Sequence, residues 1–188
     1  MTTMTMTRAR KTWHGWRIAR WSVATVLLLT PLVMMQISSE WNWGVGDFVF
    51  AGVMICGTCL LYEAAARLSD SLAYRWGVML ALAASFLIVW INLAVGIVGE
   101  DDPANVSFFG LVMMAASASF AAGFAAKGMA RAMACVAVAQ IALGVLVATA
   151  PINADVPPGP AALIALNGGF AVLWLLAAGL FHRAAADE

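Results

Sequence analysis

Polar and apolar positions along the chain do not alternate with a short period. They fall into long blocks. Six apolar stretches, at about 21–37, 48–66, 76–99, 108–126, 132–150 and 161–181, are separated by short polar segments. About 20 apolar residues in a helix cross the ~30 Å of bilayer hydrocarbon. Lipid offers no partner to a bare peptide group, so each stretch must satisfy its backbone internally, as a helix does. The pattern therefore predicts an all-α polytopic membrane protein, a bundle of six transmembrane helices.

The centre of the pattern is a hairpin. From Trp76 to Gly99 there is no charge, and only Ser85 and Asn92 are polar. Glu100, Asp101 and Asp102 follow, then Pro103, Ala104 and Asn105, before the apolar run resumes at Phe108. Three adjacent carboxylates cannot remain in hydrocarbon, and Pro103 disfavours helix at Asp102. The chain is expected to leave the bilayer at Glu100 and re-enter near Phe108. Pro31, inside the first run, predicts a kink there.

Charge adds an orientation. If the connections are numbered alternately from the N-terminus, all 10 Lys and Arg fall on one side: Arg8, Arg10, Lys11, Arg17, Arg20, Arg67, Arg75, Lys127, Arg131 and Arg183. The other side takes Glu40, Asp47, Glu100, Asp101, Asp102 and Asp155. Positive charge in short connections marks the cytoplasmic side. Both termini are therefore expected in the cytoplasm, with 1–20 a basic tail, 21–181 the membrane domain and 182–188 a second tail. Lys127 to Arg131 reads as a tight basic turn. Residues 1–20 hold five cations interleaved with Trp13 and Trp16, with Trp21 next, which fits a solvated tail or a helix lying on an anionic leaflet.

Composition agrees, with 63% hydrophobic and 11% charged residues, less than half the ~25% charged typical of soluble domains. Cys56, Cys59 and Cys135 all lie in apolar runs, which argues against a disulfide framework. Cys56-Gly-Thr-Cys59 has the spelling of a redox motif but an apolar helical setting. Met34-Met35 and Met113-Met114 are adjacent pairs that point about 100° apart on a helix and read as core filling. His14 and His182 lie outside the runs, so no haem is expected between helices. No phosphate loop, zinc-protease motif or nucleophile triad is present, and no cofactor is expected.

Candidate chemistry concentrates in two places. Glu100, Asp101, Asp102 and Asn105, with Asn92 two turns inside the preceding span, could offer oxygen ligands to a hard cation; the identity of any metal stays open. Gln140 and Asn167, and Glu63 near the cytoplasmic edge, are polar groups within spans. Such groups glue helices together or line a path. Glu63 stands four residues before Arg67, the favourable order for a helical ion pair. The small residues at 115–119 and 121–123 favour close helix approach. Asn105-Val106-Ser107 is formally a glycosylation sequon.

The segments Asn92-Leu-Ala-Val-Gly-Ile-Val-Gly99 and Glu100-Asp-Asp-Pro-Ala-Asn105 resemble the signature of a family of small, uncharacterised bacterial inner-membrane proteins. Trp41-Asn-Trp-Gly44, Gly128-Met-Ala-Arg-Ala132 and Leu166-Asn-Gly168 extend the likeness. The resemblance implies a multi-pass protein of the bacterial inner membrane and no particular activity.

Three functional readings remain. The first is a non-enzymatic membrane protein acting by interaction, an accessory or sensing component with acidic outer loops. Its partners are the lipid bilayer and a membrane protein or a second copy, not nucleic acid. The second is a small-solute or cation transporter or channel with its pathway near Asn92, Gln140 and Asn167. The third is a membrane enzyme using the acidic turn 100–102. Where the three amides point separates the first two readings.

Overall fold

The computed structural model describes residues 21–38, 42–99, 102–153, 157 and 159–187. Expectations for the basic tail 1–20, for Glu40, Trp41, Asp155 and Glu188, and for Glu100 and Asp101 concern residues outside that set. The described residues form six α-helices and no strand, so the all-α expectation is met. The helices are α1 (Trp21–Ile37), α2 (Val45–Ala65), α3 (Leu72–Ala94), α4 (Asn105–Ala121), α5 (Ala126–Thr149) and α6 (Pro160–Ala186), with a 3₁₀ turn at Pro151–Asn153. Four of them, α2, α3, α5 and α6, are long and apolar enough to cross a membrane, while α1 and α4 are shorter apolar helices. The chain divides into two compact units, Met1–Leu61 and Tyr62–Glu188.

In the first unit α1 continues as helix through Pro31. The hydroxyls of Thr25 and Thr30 donate to the carbonyls of Trp21 and Val26, each at 2.8 Å, the usual way to satisfy a hydroxyl in an apolar helix. The start of α2 is fixed by sequence-local chemistry. The Gly44 N–H donates to the Asp47 carboxylate at 2.8 Å, and the Trp43 ring meets Phe48 edge-on at 5.4 Å. This pairs half of a capping box with a hydrophobic staple. Asp47 is thus a helix-starting residue.

The second unit is a ring of four helices. α3 packs on α4, α4 on α5, α5 on α6, and α6 back on α3, with the α5–α6 contact the most extensive. Small residues are buried on both helices, Ala132, Ala137 and Gly144 on α5 and Ala171, Ala177 and Ala178 on α6, and Gly144 meets Asn167 across the contact. Lipid tails are as apolar as leucine, so close packing, not flight from water, holds such helices together. Trp174, Phe181, Phe108, Ile88 and Val136 are fully buried in this unit.

One end of the ring is closed by aromatic contacts. The Tyr74 hydroxyl donates to the Phe124 carbonyl at 2.8 Å, the Tyr74 ring meets Phe181 edge-on at 5.2 Å, and a Cβ on Gly77 would stand 3.2 Å from the Phe181 ring. The α4–α5 reversal is made at this end by Gly123 and Phe124, both at positive φ (56° and 58°). Gly128 lies so close to Ala122 that a Cβ there would come within 2.7 Å of the alanine methyl.

Helix boundaries differ from the sequence reading at several places, three of which move charged residues. α3 begins at Leu72, not Trp76, because Ser71 caps it by accepting the Tyr74 N–H (3.4 Å). Arg75 then sits in its first turn, paired with Asp70 at 3.0 Å and donating to the Ser69 carbonyl at 3.1 Å. Lys127 and Arg131 do not form a turn. They occupy the first turns of α5, because the reversal is completed earlier, at Ala122–Ala125. α6 runs past 181 and takes in His182 and Arg183. Within this unit Arg75, Lys127, Arg131 and Arg183 therefore gather at the Tyr74–Phe124–Phe181 end. Asn92, Asp102 and Asn105 lie at the opposite end.

Candidate functional site

The apolar run that begins at Trp76 stops being helical at Ala94, not at Gly99. Val95 leaves helical geometry (φ −142°), Gly96 turns at φ 68° and Gly99 at φ 125°. Between them Ile97 and Val98 are 1% and 0% exposed, so the segment folds into the end of the bundle. A buried non-helical segment exposes backbone groups that need partners. Two asparagines supply them. Asn105 Oδ1 accepts from the N–H groups of Ile97 and Val98, each at 3.0 Å, and its Nδ2 donates to the Gly99 carbonyl at 2.7 Å. Asn92 Nδ2 donates to the Asn105 carbonyl at 2.6 Å, and its Oδ1 accepts a longer bond from Ile97 N–H at 3.4 Å. Gly96 allows the close approach: a Cβ there would strike the Gly99 carbonyl and lie 2.7 Å from Asn105 Nδ2.

Asp102 makes a third local bond, its Oδ1 accepting from Ala104 N–H at 2.7 Å just before α4. Asn92, Asp102 and Asn105 thus belong to one structured turn, but their oxygens are directed at backbone. Both lone pairs of Asn105 Oδ1 are occupied. Glu100 and Asp101, the remaining acids proposed for a cation, lie outside the described residues. Among the described residues no three His, Cys, Asp or Glu side chains gather in a metal-binding group.

The other polar cluster is deep in the α5–α6 contact. Gln140 and Asn167 are 0% and 2% exposed, and Gln140 Nε2 donates to Asn167 Oδ1 at 2.7 Å. Asn167 Nδ2 donates one turn back to the Leu163 carbonyl at 2.8 Å, and Trp174 Nε1 donates to Gln140 Oε1 at 3.4 Å. Gly144 makes room: a Cβ there would overlap the Asn167 side chain. Asn92 bonds to the α3–α4 turn and not to this cluster.

Two participants escape a reading of the sequence. Trp174 is one, although a tryptophan in mid-span signals an N–H in need of an acceptor. Asn153 is the other, 2% exposed in the 3₁₀ turn. Its Nδ2 donates to the Val147 carbonyl at 3.1 Å, and its Oδ1 is buried without a hydrogen bond. Glu63 is half-buried near the end of α2, and Arg67 is exposed just beyond it. Cys56 and Cys135 are exposed on helix surfaces and Cys59 is partly buried.

Comparison of the chain with protein-family models, curated proteins and solved structures finds no match.

Proposed function

We propose that this is a six-span protein of the bacterial inner membrane, with both termini cytoplasmic, that acts by interaction and not by moving a solute. The observation that carries the reading is the Gln140–Asn167–Trp174 cluster. A polar path across hydrocarbon needs groups free to bind what passes. Here the mid-span amides bind one another and an indole N–H, in a contact closed to solvent. Asn92 is engaged in holding a turn. This is helix glue, and it leaves the outward faces of the helices and the acidic outer connections as the working surfaces. The gathering of cations at one end of the second unit supports the cytoplasmic assignment. The likeness of 92–105 to the inner-membrane signature points the same way.

The test is reconstitution. Vesicles carrying the purified protein are expected to pass cations and small solutes no faster than protein-free vesicles. Cross-linking in native membranes from outward-facing helix positions is expected to give a discrete adduct with another membrane protein or a second copy. A flux that Gln140→Leu removes would transfer the reading to a transporter.

A further inference from the structure

The outward stripe of α5 has a lengthwise polarity of its own. Lys127, Arg131, Cys135, Val138 and Val145 follow one another at spacings of four, four, three and seven residues, which keeps them on one helix face. All are exposed, Val138 and Val145 at 67% and 47%. The first two are cations and the rest are apolar. Among the described residues neither cation meets a carboxylate, whereas Arg75 at the same end is paired with Asp70. Like charges four residues apart on a helix repel, so the pair is not there to stabilise the helix.

Length says where the pair sits. α5 has 24 residues, about 36 Å at 1.5 Å per residue, some 6 Å more than the hydrocarbon it has to cross. Standing along the bilayer normal, the helix projects by about one turn into the headgroup layer. The end carrying Lys127 and Arg131 is the one that can do so, with Arg131 about 6 Å deeper than Lys127. A guanidinium at that depth is weakly hydrated and matches the fork of a phosphate.

We propose that this stripe is a binding site for an anionic phospholipid. Lys127 and Arg131 hold its phosphate from two depths, and its acyl chains lie along Cys135, Val138 and Val145. The site depends on the helices lying in a bilayer. It depends neither on which side is cytoplasmic nor on what else the protein contacts.

The test uses the purified full-length protein in a neutral detergent, with melting followed as lipid is added. Phosphatidylglycerol is expected to raise the melting temperature in a saturable way, as a ligand of the folded state does. Phosphatidylcholine with the same chains is expected to give much less. The double variant Lys127→Gln/Arg131→Gln should melt like the parent without lipid, because both side chains are exposed, and should lose most of the phosphatidylglycerol increment. Arg183→Gln should keep it. Arg131→Lys tests the fork geometry and should keep only part of the increment. The proposal is overturned if phosphatidylcholine works equally well, if the double variant retains the full increment, or if phosphatidylglycerol has no effect on the parent. It is overturned also if inorganic phosphate alone reproduces the increment, since the site would then take a free anion.

Discussion

Gln140 on α5 and Asn167 on α6 are joined by a 2.7 Å hydrogen bond, each completing the other in a place that water does not reach. Removing one partner leaves a buried polar group open, which costs about 1–3 kcal/mol in general. Inside membranes such couplings average nearer 0.6 kcal/mol. Gln140→Leu is therefore expected to destabilise by about 1 kcal/mol in reversible unfolding from mixed micelles. Gln140→Leu with Asn167→Leu should cost less than the two single changes added together. Strict additivity would mean that the two side chains do not cooperate.

The Asn105 latch separates into its acceptor and donor halves. Asn105→Ala opens three hydrogen bonds around a buried segment and should cost roughly 2–3 kcal/mol. Asn105→Asp keeps an oxygen facing Ile97 and Val98, loses the donation to Gly99 and sets a second oxygen against that carbonyl. Hydrogen exchange at the Ile97 and Val98 amides should rise steeply in the first variant and modestly in the second. Equal exchange in both would detach the latch from the carboxamide.

At the opposite end, Tyr74→Phe deletes the donor to the Phe124 carbonyl while keeping the ring against Phe181. A loss of about 1 kcal/mol is expected. Gly77→Ala pushes a methyl toward the Phe181 ring and should lower the melting temperature in the same direction. A melting temperature unchanged in both variants would show that this closure contributes nothing.

Topology can be read directly. Reporter fusions after Asp47 and Asp102 should lie on the periplasmic side, and fusions after Asp70, Phe124 and Asp187 on the cytoplasmic side. A single connection on the wrong side would dissolve the six-span arrangement.

Cys56 and Cys135 stand on the outer surfaces of helices in mid-chain apolar runs. In intact cells a charged maleimide should leave them unlabelled while a lipid-soluble one reaches them. Replacing Cys56 and Cys59 with alanine should leave function unchanged. Fast labelling by the charged reagent would reveal an aqueous path to the thiols.

Much of this architecture was written in apolar runs, because lipid imposes one dominant rule on backbone. Six helices stand among the described residues, four of them long and apolar enough to cross a membrane. The run ending at Gly99 shows where that rule loses resolution. Val95 to Gly99 is as apolar as a helix, but Gly96 and Gly99 allow positive φ and Asn105 supplies partners, so the segment folds in without helical bonds. Composition cannot distinguish a helical turn from a buried plug. Lys127 and Arg131 mislead in the opposite sense, since charge suggests a connection although Gly123 and Phe124 make the turn. Gln140 and Asn167 were legible as buried amides, but their pairing with each other and with Trp174 depends on the register of α5 against α6. Asn92 and Asn105 were legible as neighbours. Their use on backbone was not, since a carboxamide suits a cation and a peptide group equally well.

The ring of the second unit closes by α6 meeting α3, and that sets an order on how the protein can be made. A membrane chain is delivered N-terminus first. Until residues beyond Pro160 are synthesised, Gln140 has no Asn167 and Tyr74 has no Phe181. A chain stalled in the connection before α6 therefore carries an amide and an aromatic seat without the partners that fill them. Within this ring α6 is made after the other three helices and completes their contacts, so chains truncated before it should be cleared rapidly and not accumulate as partial bundles.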